Sequence, residues 1–125
     1  MLFRSDDYST ARRIIKNNLH ELGFTCLEAE DGEDALGIIL QTPLNLVLAD
    51  VKMPNKNGLE LLEDIRDDEN LKDLPVILTM IEPLDELIST GRELGMNDYL
   101  IKPFDVFSLA KVLDKVIVTE GGESL

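Results

Sequence analysis

The most apolar strand candidate of the chain is the segment LNLVLAD, residues 44–50, which ends abruptly in the carboxylate of Asp50. A nearly continuous apolar run is typical of a strand in the middle of a parallel sheet, because both of its faces are covered. On either side of it, short apolar runs alternate with longer segments of helical period, which predicts βαβ units. The segment therefore predicts an α/β fold whose central strand carries Asp50 to one edge of the sheet.

Four other short apolar runs are predicted as strands, at residues 1–5, 25–29, 75–81 and 97–101, and a helical segment follows each of the five strands. This alternation predicts a βα sandwich of three layers, in which right-handed crossovers place the carboxyl ends of all strands at one edge. Ligands of such folds bind at that edge.

Charged residues follow three of the predicted strands at this edge: the pair Asp6-Asp7, then Asp50, then Lys102. If the first and third strands are neighbours, three carboxylates converge and repel one another unless a cation or protons compensate. Oxygen ligands without histidine or thiolate favour magnesium, or manganese, over zinc. We therefore expect a divalent cation beside Asp50.

A carboxylate at a metal ion and opposite a lysine is also a workable phosphoryl acceptor. Phosphoryl transfer mainly requires an aligned nucleophile and cations near the oxygens that carry charge, and an aspartate can serve by forming an acyl phosphate. Asp50 is the best candidate because it ends the most buried strand, whereas Asp6 and Asp7 share one turn and can grip a metal together.

Composition limits the other possibilities. With 125 residues, of which 44% are apolar and 30% charged, one compact domain is expected. Twenty-five acidic residues against 12 basic ones give a net charge of -13, which argues against direct binding to nucleic acid or to anionic membranes. The single cysteine, Cys26, allows no disulfide framework, and no stretch approaches the roughly 20 apolar residues of a membrane span, so we expect a cytoplasmic protein.

Four motifs carry a resemblance to a known family: DDYSTARR at 6–13, EAEDGEDAL at 28–36, LADVKMP at 48–54 with Gly58, and YLIKPF at 99–104. They resemble those of response-regulator receiver domains, particularly the chemotaxis-type single-domain receivers, in order and in spacing. The resemblance extends over residues 3–118. It implies a flavodoxin-like (βα)5 fold with strand order 2-1-3-4-5, a receiver domain at 1–118 and a flexible tail at 119–125.

The resemblance also implies roles for individual residues. Asp50 would accept a phosphoryl group from a phosphohistidine of a sensor histidine kinase or a histidine phosphotransfer protein. Asp7 and Asp50 would bind Mg²⁺ directly, the backbone carbonyl of Lys52 would complete the protein ligands, and Asp6 would act through metal-bound water. Lys102 would pair with the phosphoryl oxygens.

Two more residues have implied roles beside Lys102. Pro103 would follow a cis peptide bond, and Tyr99 would be a rotamer switch on an output surface formed by the fourth helix, the fifth strand and the fifth helix. We expect a signalling protein rather than an enzyme, a monomer or weak dimer, that acts on an unidentified downstream protein.

Among the departures of the sequence from the family, two bear on the switch and on the first strand. Met80 stands where the family has a switch threonine or serine, and Thr79, one position earlier, would reach the site only if a bulge or a one-residue deletion shifted the register. The segment Arg4-Ser5 replaces two apolar residues before the acidic pair, so either the strand end is exposed or Arg4 reaches a carboxylate.

These departures keep two other functions open. A receiver-like scaffold that binds partners with weak or absent phosphorylation-dependent switching is the first alternative, favoured by Met80 and Arg4. A phosphohydrolase with an aspartyl nucleophile is the second and the weaker one, because such an enzyme would want a second acid where Lys52 stands.

Overall fold

The structure is a computed structural model that describes residues 2–4, 17, 20–22, 27–28, 31–52 and 56–121. Five strands and four helices lie within these ranges. In chain order they are β1 (Leu2–Arg4), β2 (Leu27–Glu28), α1 (Gly32–Gln41), β3 (Val47–Asp50), α2 (Gly58–Asp67), β4 (Val76–Met80), α3 (Asp85–Leu94), β5 (Asp98–Ile101) and α4 (Val106–Gly121).

The strands form one parallel sheet in the order β2-β1-β3-β4-β5. The α/β class and the parallel sheet that the sequence predicts are thus confirmed. Helical backbone is also present at residues 17 and 20–21. The rest of the first predicted helix lies outside the described residues, so the full set of five helices stays a prediction.

Apolar side chains cover both faces of the sheet. On one face the alternate residues of β3 and β4, such as Ala49 and Leu78, pack against α1 and α2. On the other face Leu48 and Ile77 pack against α4. All residues of β3 and β4 are buried, which explains why the sequence of these strands is nearly continuous in apolar residues.

Polar side chains mark where α1, α2 and α4 begin. Asp31 precedes α1 and accepts a hydrogen bond from the backbone N–H of Asp34 at 2.8 Å. Asn57 and Glu60 form a reciprocal capping box at the start of α2, with N–O distances of 2.9 and 3.1 Å. Asp105 accepts from Ser108 N–H before α4 at 2.8 Å, and this bond lowers the pKa of Asp105. The caps satisfy N–H groups that have no partner within the helix.

Arg66, in the last turn of α2, joins three separate parts of the chain. Its guanidinium donates to the carbonyl of Leu74 at 2.7 Å, to the carbonyl of Gly95 at 2.7 and 3.0 Å, and to the side-chain oxygen of Asn97 at 3.0 Å. The same oxygen of Asn97 accepts from Val76 N–H at 2.8 Å. The end of α2, the start of β4 and the turn from α3 to β5 are therefore held by one side chain.

Two further observations concern the ends and the length of the helices. Helix α4 continues to Gly121, three residues beyond residue 118, where the predicted receiver domain ends. None of the helices in the described ranges is long and apolar enough to cross a membrane.

We expect Arg66→Met to lower the free energy of unfolding by about 2 to 4 kcal/mol, because two carbonyls and the side-chain oxygen of Asn97 lose a charged donor. Arg66→Lys should recover only part of this loss, since an ammonium cannot reproduce the planar fork of the guanidinium. Urea unfolding followed by circular dichroism measures both values.

Lys72→Met is the matched control, because Lys72 has an exposed side chain in the loop after α2. It should change the free energy of unfolding by less than about 0.5 kcal/mol. An Arg66→Met protein as stable as this control would contradict the role of Arg66.

Candidate functional site

Asp50 is the last residue of β3 and lies at the carboxyl edge of the sheet. Asp50 is only 6% exposed. In the register between β3 and β4, Asp50 pairs with Thr79, and Ala49 pairs with Leu78 one residue earlier. In a strand that is covered on both faces, a polar residue can reach solvent only at the end of the strand. Asp50 therefore lies at the end of β3, where the sequence analysis expects it, and its carboxylate is nearly buried.

Lys102 supplies the positive charge for this carboxylate. Its Nζ lies 2.5 Å from Oδ2 of Asp50, and both side chains are nearly buried, with 12% and 9% exposed. The backbone of Lys102 is held by its N–H, which donates to the carbonyl of Met80 at 2.8 Å. The peptide bond between Lys102 and Pro103 is cis, as the resemblance implies. The structure therefore brings together Asp50 and Lys102, two of the residues that the sequence analysis assigns to the site.

The chain turns back tightly after Asp50. The N–H of Lys52 donates to Oδ1 of Asp50 at 3.1 Å, and the N–H of Gly58 donates to the carbonyl of Val51 at 3.0 Å. A Cβ at residue 58 would lie 2.5 Å from the carbonyl oxygen of Asp50, so only glycine fits there. These contacts hold one carboxylate oxygen on a backbone donor while Lys102 takes the other.

Lys56, which precedes α2, makes a second close approach of this kind. A Cβ at Gly32, the first residue of α1, would lie 1.9 Å from the carbonyl oxygen of Lys56. The ammonium of Lys56 pairs with Oδ2 of Asp64 at 2.5 Å, and this bond raises the pKa of Lys56. Lys56 thus contacts α1 through its backbone and α2 through its side chain.

Met80 and Thr79 occupy the end of β4 in a regular register. Thr79 pairs with Asp50 on one side and with Leu100 on the other, and Met80 pairs with Ile101. The shift that would place Thr79 at the expected switch position is therefore absent from β4. Met80 is 3% exposed and belongs to the apolar cluster on the α1 and α2 face, and its thioether side chain has no hydrogen-bond donor.

Tyr99 lies on β5, partly buried against the same apolar cluster. The guanidinium of Arg92 on α3 stands 5.8 Å from the centre of its ring, within the range of a cation–π contact. The sequence analysis named Tyr99 but missed Arg92. Seven positions separate them across a helix end and a turn, and no local pattern links residues at such a separation.

The predicted metal ligands Asp6 and Asp7 lie outside the described residues, and so does the side chain of Arg4. Two of the named ligand residues are described, namely Asp50 and Lys52. Among the described residues no group of three or more His, Cys, Asp or Glu side chains could hold a metal ion, but the carboxylate of Asp50 supplies oxygen ligands of the kind that a hard cation such as Mg²⁺ prefers. The described donors are thus compatible with the predicted ion.

Known proteins resemble the chain in sequence over most of its length. Chemotaxis protein CheY-3 of Vibrio cholerae serotype O1 is 43% identical over 112 residues, which cover 89% of this chain and 86% of the relative. Chemotaxis protein CheY of Pseudomonas aeruginosa is 39% identical over 118 residues, 94% of this chain and 95% of the relative.

Solved structures resemble it in fold. Chemotaxis protein CheY4 of Vibrio cholerae has a TM-score of 0.85 at 27% identity, over 92% of this chain and 96% of the other. The receiver domain of sensor histidine kinase PA1611 from Pseudomonas aeruginosa, solved with a magnesium ion coordinated in its active-site cleft, has a TM-score of 0.83 at 27% identity, over 93% and 95% of the two chains.

A protein-family model also matches most of the chain. The model of the response regulator receiver domain matches residues 4–114, a range that includes Asp50, Lys102 and every described strand except the start of β1. Together with the buried acid and lysine at the edge of a parallel sheet, the match means that the chain belongs to the response regulator receiver domain family.

Proposed function

We propose that the protein is a phosphoacceptor of a two-component system or phosphorelay, and that Asp50 accepts the phosphoryl group. The observation that carries this proposal is the ion pair between Asp50 and Lys102, both nearly buried at the carboxyl edge of the sheet. A purely structural ion pair is a weak source of stability when it is buried, because the desolvation of the two charges opposes their attraction. The pair is better explained as part of a reaction site.

The transfer itself would proceed on one oxygen of Asp50. That oxygen forms a bond to phosphorus while the bond from phosphorus to the donor breaks, and the donor keeps the electron pair. With acetyl phosphate the leaving group is acetate, and with a phosphohistidine it is the imidazole, which then takes up a proton. Lys102 is close enough to follow the negative charge from the carboxylate to the phosphoryl oxygens.

A divalent cation would be held by Asp50, the carbonyl of Lys52 and the acidic pair Asp6-Asp7. We propose Mg²⁺, with Mn²⁺ as a substitute, on the basis of the oxygen donors and of the magnesium ion in the PA1611 receiver domain. When bound, the cation neutralises charge on the transferred phosphoryl group. The residues of the chain supply the nucleophile and the lysine.

The proposal extends to the partners and the setting. The donor is a sensor histidine kinase or a histidine phosphotransfer protein, and the recipient of the signal is a downstream protein that contacts α3, β5 and α4, with Tyr99 as the responding side chain. The chain acts as a signalling domain of residues 1–118 in the cytoplasm, in a monomer or weak dimer, and not as an enzyme. The complete (βα)5 fold is part of the same proposal.

A scaffold with weak switching is the second candidate. It is favoured by Met80, whose thioether is buried among apolar side chains where a hydroxyl was expected. A methionine there cannot donate a hydrogen bond to a phosphoryl group, so β4 would respond less to phosphorylation. This candidate keeps the fold but removes the link between Asp50 and the output face.

Phosphorylation of Asp50 is tested directly with acetyl phosphate and Mg²⁺. We expect the wild-type protein to gain the mass of one phosphoryl group, measured by intact-protein mass spectrometry. Asp50→Asn should gain none, because the amide has lost the nucleophilic carboxylate oxygen, and chelation of Mg²⁺ with EDTA should suppress the gain.

Asp98→Asn is the matched control, because Asp98 is 8% exposed and begins β5 at the opposite edge of the sheet. This variant should be phosphorylated like the wild type. The proposal fails if the wild type gains no mass, or if Asp50→Asn gains as much as the control.

The response of the output face is tested with 3-fluorotyrosine, since the chain has only two tyrosines and Tyr99→Phe identifies the signal of residue 99. We expect beryllofluoride and Mg²⁺, which mimic the phosphoryl group, to shift the ¹⁹F resonance of Tyr99 in the wild type and not in Asp50→Asn. Loss of the Arg92 contact or movement of the ring would change the electrostatic environment of the fluorine.

A saturating amount of beryllofluoride that leaves the Tyr99 resonance in place would favour the scaffold. Arg92→Met serves as a reference in this experiment, because it removes the cation from the ring without touching Asp50. Its resonance in the absence of beryllofluoride shows how large a shift the cation alone produces.

A further inference from the structure

Thr79 lies on β4, the strand between the two residues of the ion pair. Asp50 ends β3 and Lys102 follows β5, and β4 runs between these strands, so the contact between the two side chains spans β4. Thr79 is the residue of β4 in register with Asp50. Paired residues of neighbouring parallel strands, which lie about 4.8 Å apart, project their side chains to the same face of the sheet. The side chains of Thr79 and Asp50 are therefore neighbours.

The hydroxyl of Thr79 is buried without a partner. The residue is 0% exposed, and among the described residues its Oγ1 makes no hydrogen bond. A buried polar group without a hydrogen bond is costly and rare in native proteins. Valine has the same shape and would carry no such cost, so the hydroxyl at residue 79 calls for an explanation other than packing.

The flanking side chains leave one acceptor for this hydroxyl. On β5 its neighbour is Leu100, which has no polar atom, and two residues earlier on the same face of β4 lies Ile77. Asp50 is the neighbour on β3. The only side chain beside Thr79 in these strands that can accept a hydrogen bond is thus the phosphoacceptor that the proposed function assigns.

We infer that Thr79 is a positioning residue for Asp50, and that its hydroxyl donates a hydrogen bond to the carboxyl group of Asp50 when that group carries a phosphoryl group. The inference rests on the proposed function. It needs no shift of register and no contact between Thr79 and the phosphoryl oxygens.

The contacts of Asp50 explain why the bond forms in one state and not in the other. In the unmodified protein Oδ2 accepts from Lys102 and Oδ1 from the N–H of Lys52. Once a phosphoryl group is attached, its oxygens carry more negative charge than the carboxyl group and attract the ammonium of Lys102. With Lys102 drawn to those oxygens, the ion pair no longer holds the carboxyl group in its present orientation, so its remaining carbonyl oxygen can turn toward the hydroxyl of Thr79.

No covalent change involves Thr79 in this scheme. The bond to phosphorus forms at Asp50, the leaving group departs with its electron pair, and the hydroxyl proton stays on Oγ1 throughout. Rotation about χ1 of Thr79 suffices to aim the hydroxyl, because the staggered wells of the side chain are available without a backbone shift.

The test compares Thr79→Val with Thr79→Ser, and uses Thr42→Val as the matched control, since Thr42 follows α1 at the opposite edge of the sheet. The probe is beryllofluoride with Mg²⁺, titrated by ¹⁹F NMR. We expect Thr79→Val to bind beryllofluoride about tenfold more weakly than the wild type, the effect of one lost hydrogen bond. Thr79→Ser should stay within about threefold of the wild type because it keeps the hydroxyl.

Urea unfolding without beryllofluoride supplies the second measurement. Thr79→Val should be at least as stable as the wild type, because it removes a polar atom that has no partner in that state. Equal beryllofluoride affinity in Thr79→Val and wild type would overturn the inference while leaving the proposed function intact. A Thr79→Val protein that is clearly less stable than the wild type would also overturn it, since the hydroxyl would then be paired before modification. A wild type that binds no beryllofluoride would refute the proposed function and this role together.

Discussion

The carboxylate of Asp50 and the ammonium of Lys102 are almost excluded from water, and each compensates the charge of the other. Moving either ion out of water costs several kcal/mol, and removing one partner of a buried pair is strongly destabilising because the other charge is left uncompensated. The pair forms only if β3, β4 and β5 end at the same edge and in register. The parallel topology and the apolar layers on both faces of the sheet are what make this arrangement possible.

Around this pair the backbone is fitted closely to the carboxylate. Gly58 lets the chain return onto the end of β3, and the N–H of Lys52 occupies one carboxylate oxygen. A phosphoryl group would draw Lys102 toward new oxygens and open the carboxyl group to Thr79. The ion pair is therefore suited to respond to a modification of Asp50, and the end of β4 would be the first part of the fold to respond.

The sequence allowed much of this to be predicted, and the reasons for success and failure are physical. Asp50 and Lys102 were predicted together because parallel strands bring their carboxyl ends to one edge, whatever their separation in the chain. Arg66 was missed, since its partners Gly95 and Asn97 are 29 and 31 residues away and no periodicity connects them. Thr79 was named only for a shifted register, because a single sequence does not specify the register between β3 and β4 that pairs Thr79 with Asp50.

The central claim, that Asp50 is the residue that accepts the phosphoryl group, is tested most directly by chemical trapping. Protein treated with acetyl phosphate and Mg²⁺ is reduced with borohydride, which converts an aspartyl phosphate to homoserine, and the site is located by peptide mass spectrometry. We predict homoserine at position 50 and at no other aspartate. Homoserine at a different aspartate, or a phosphorylated protein that yields none, would contradict the account.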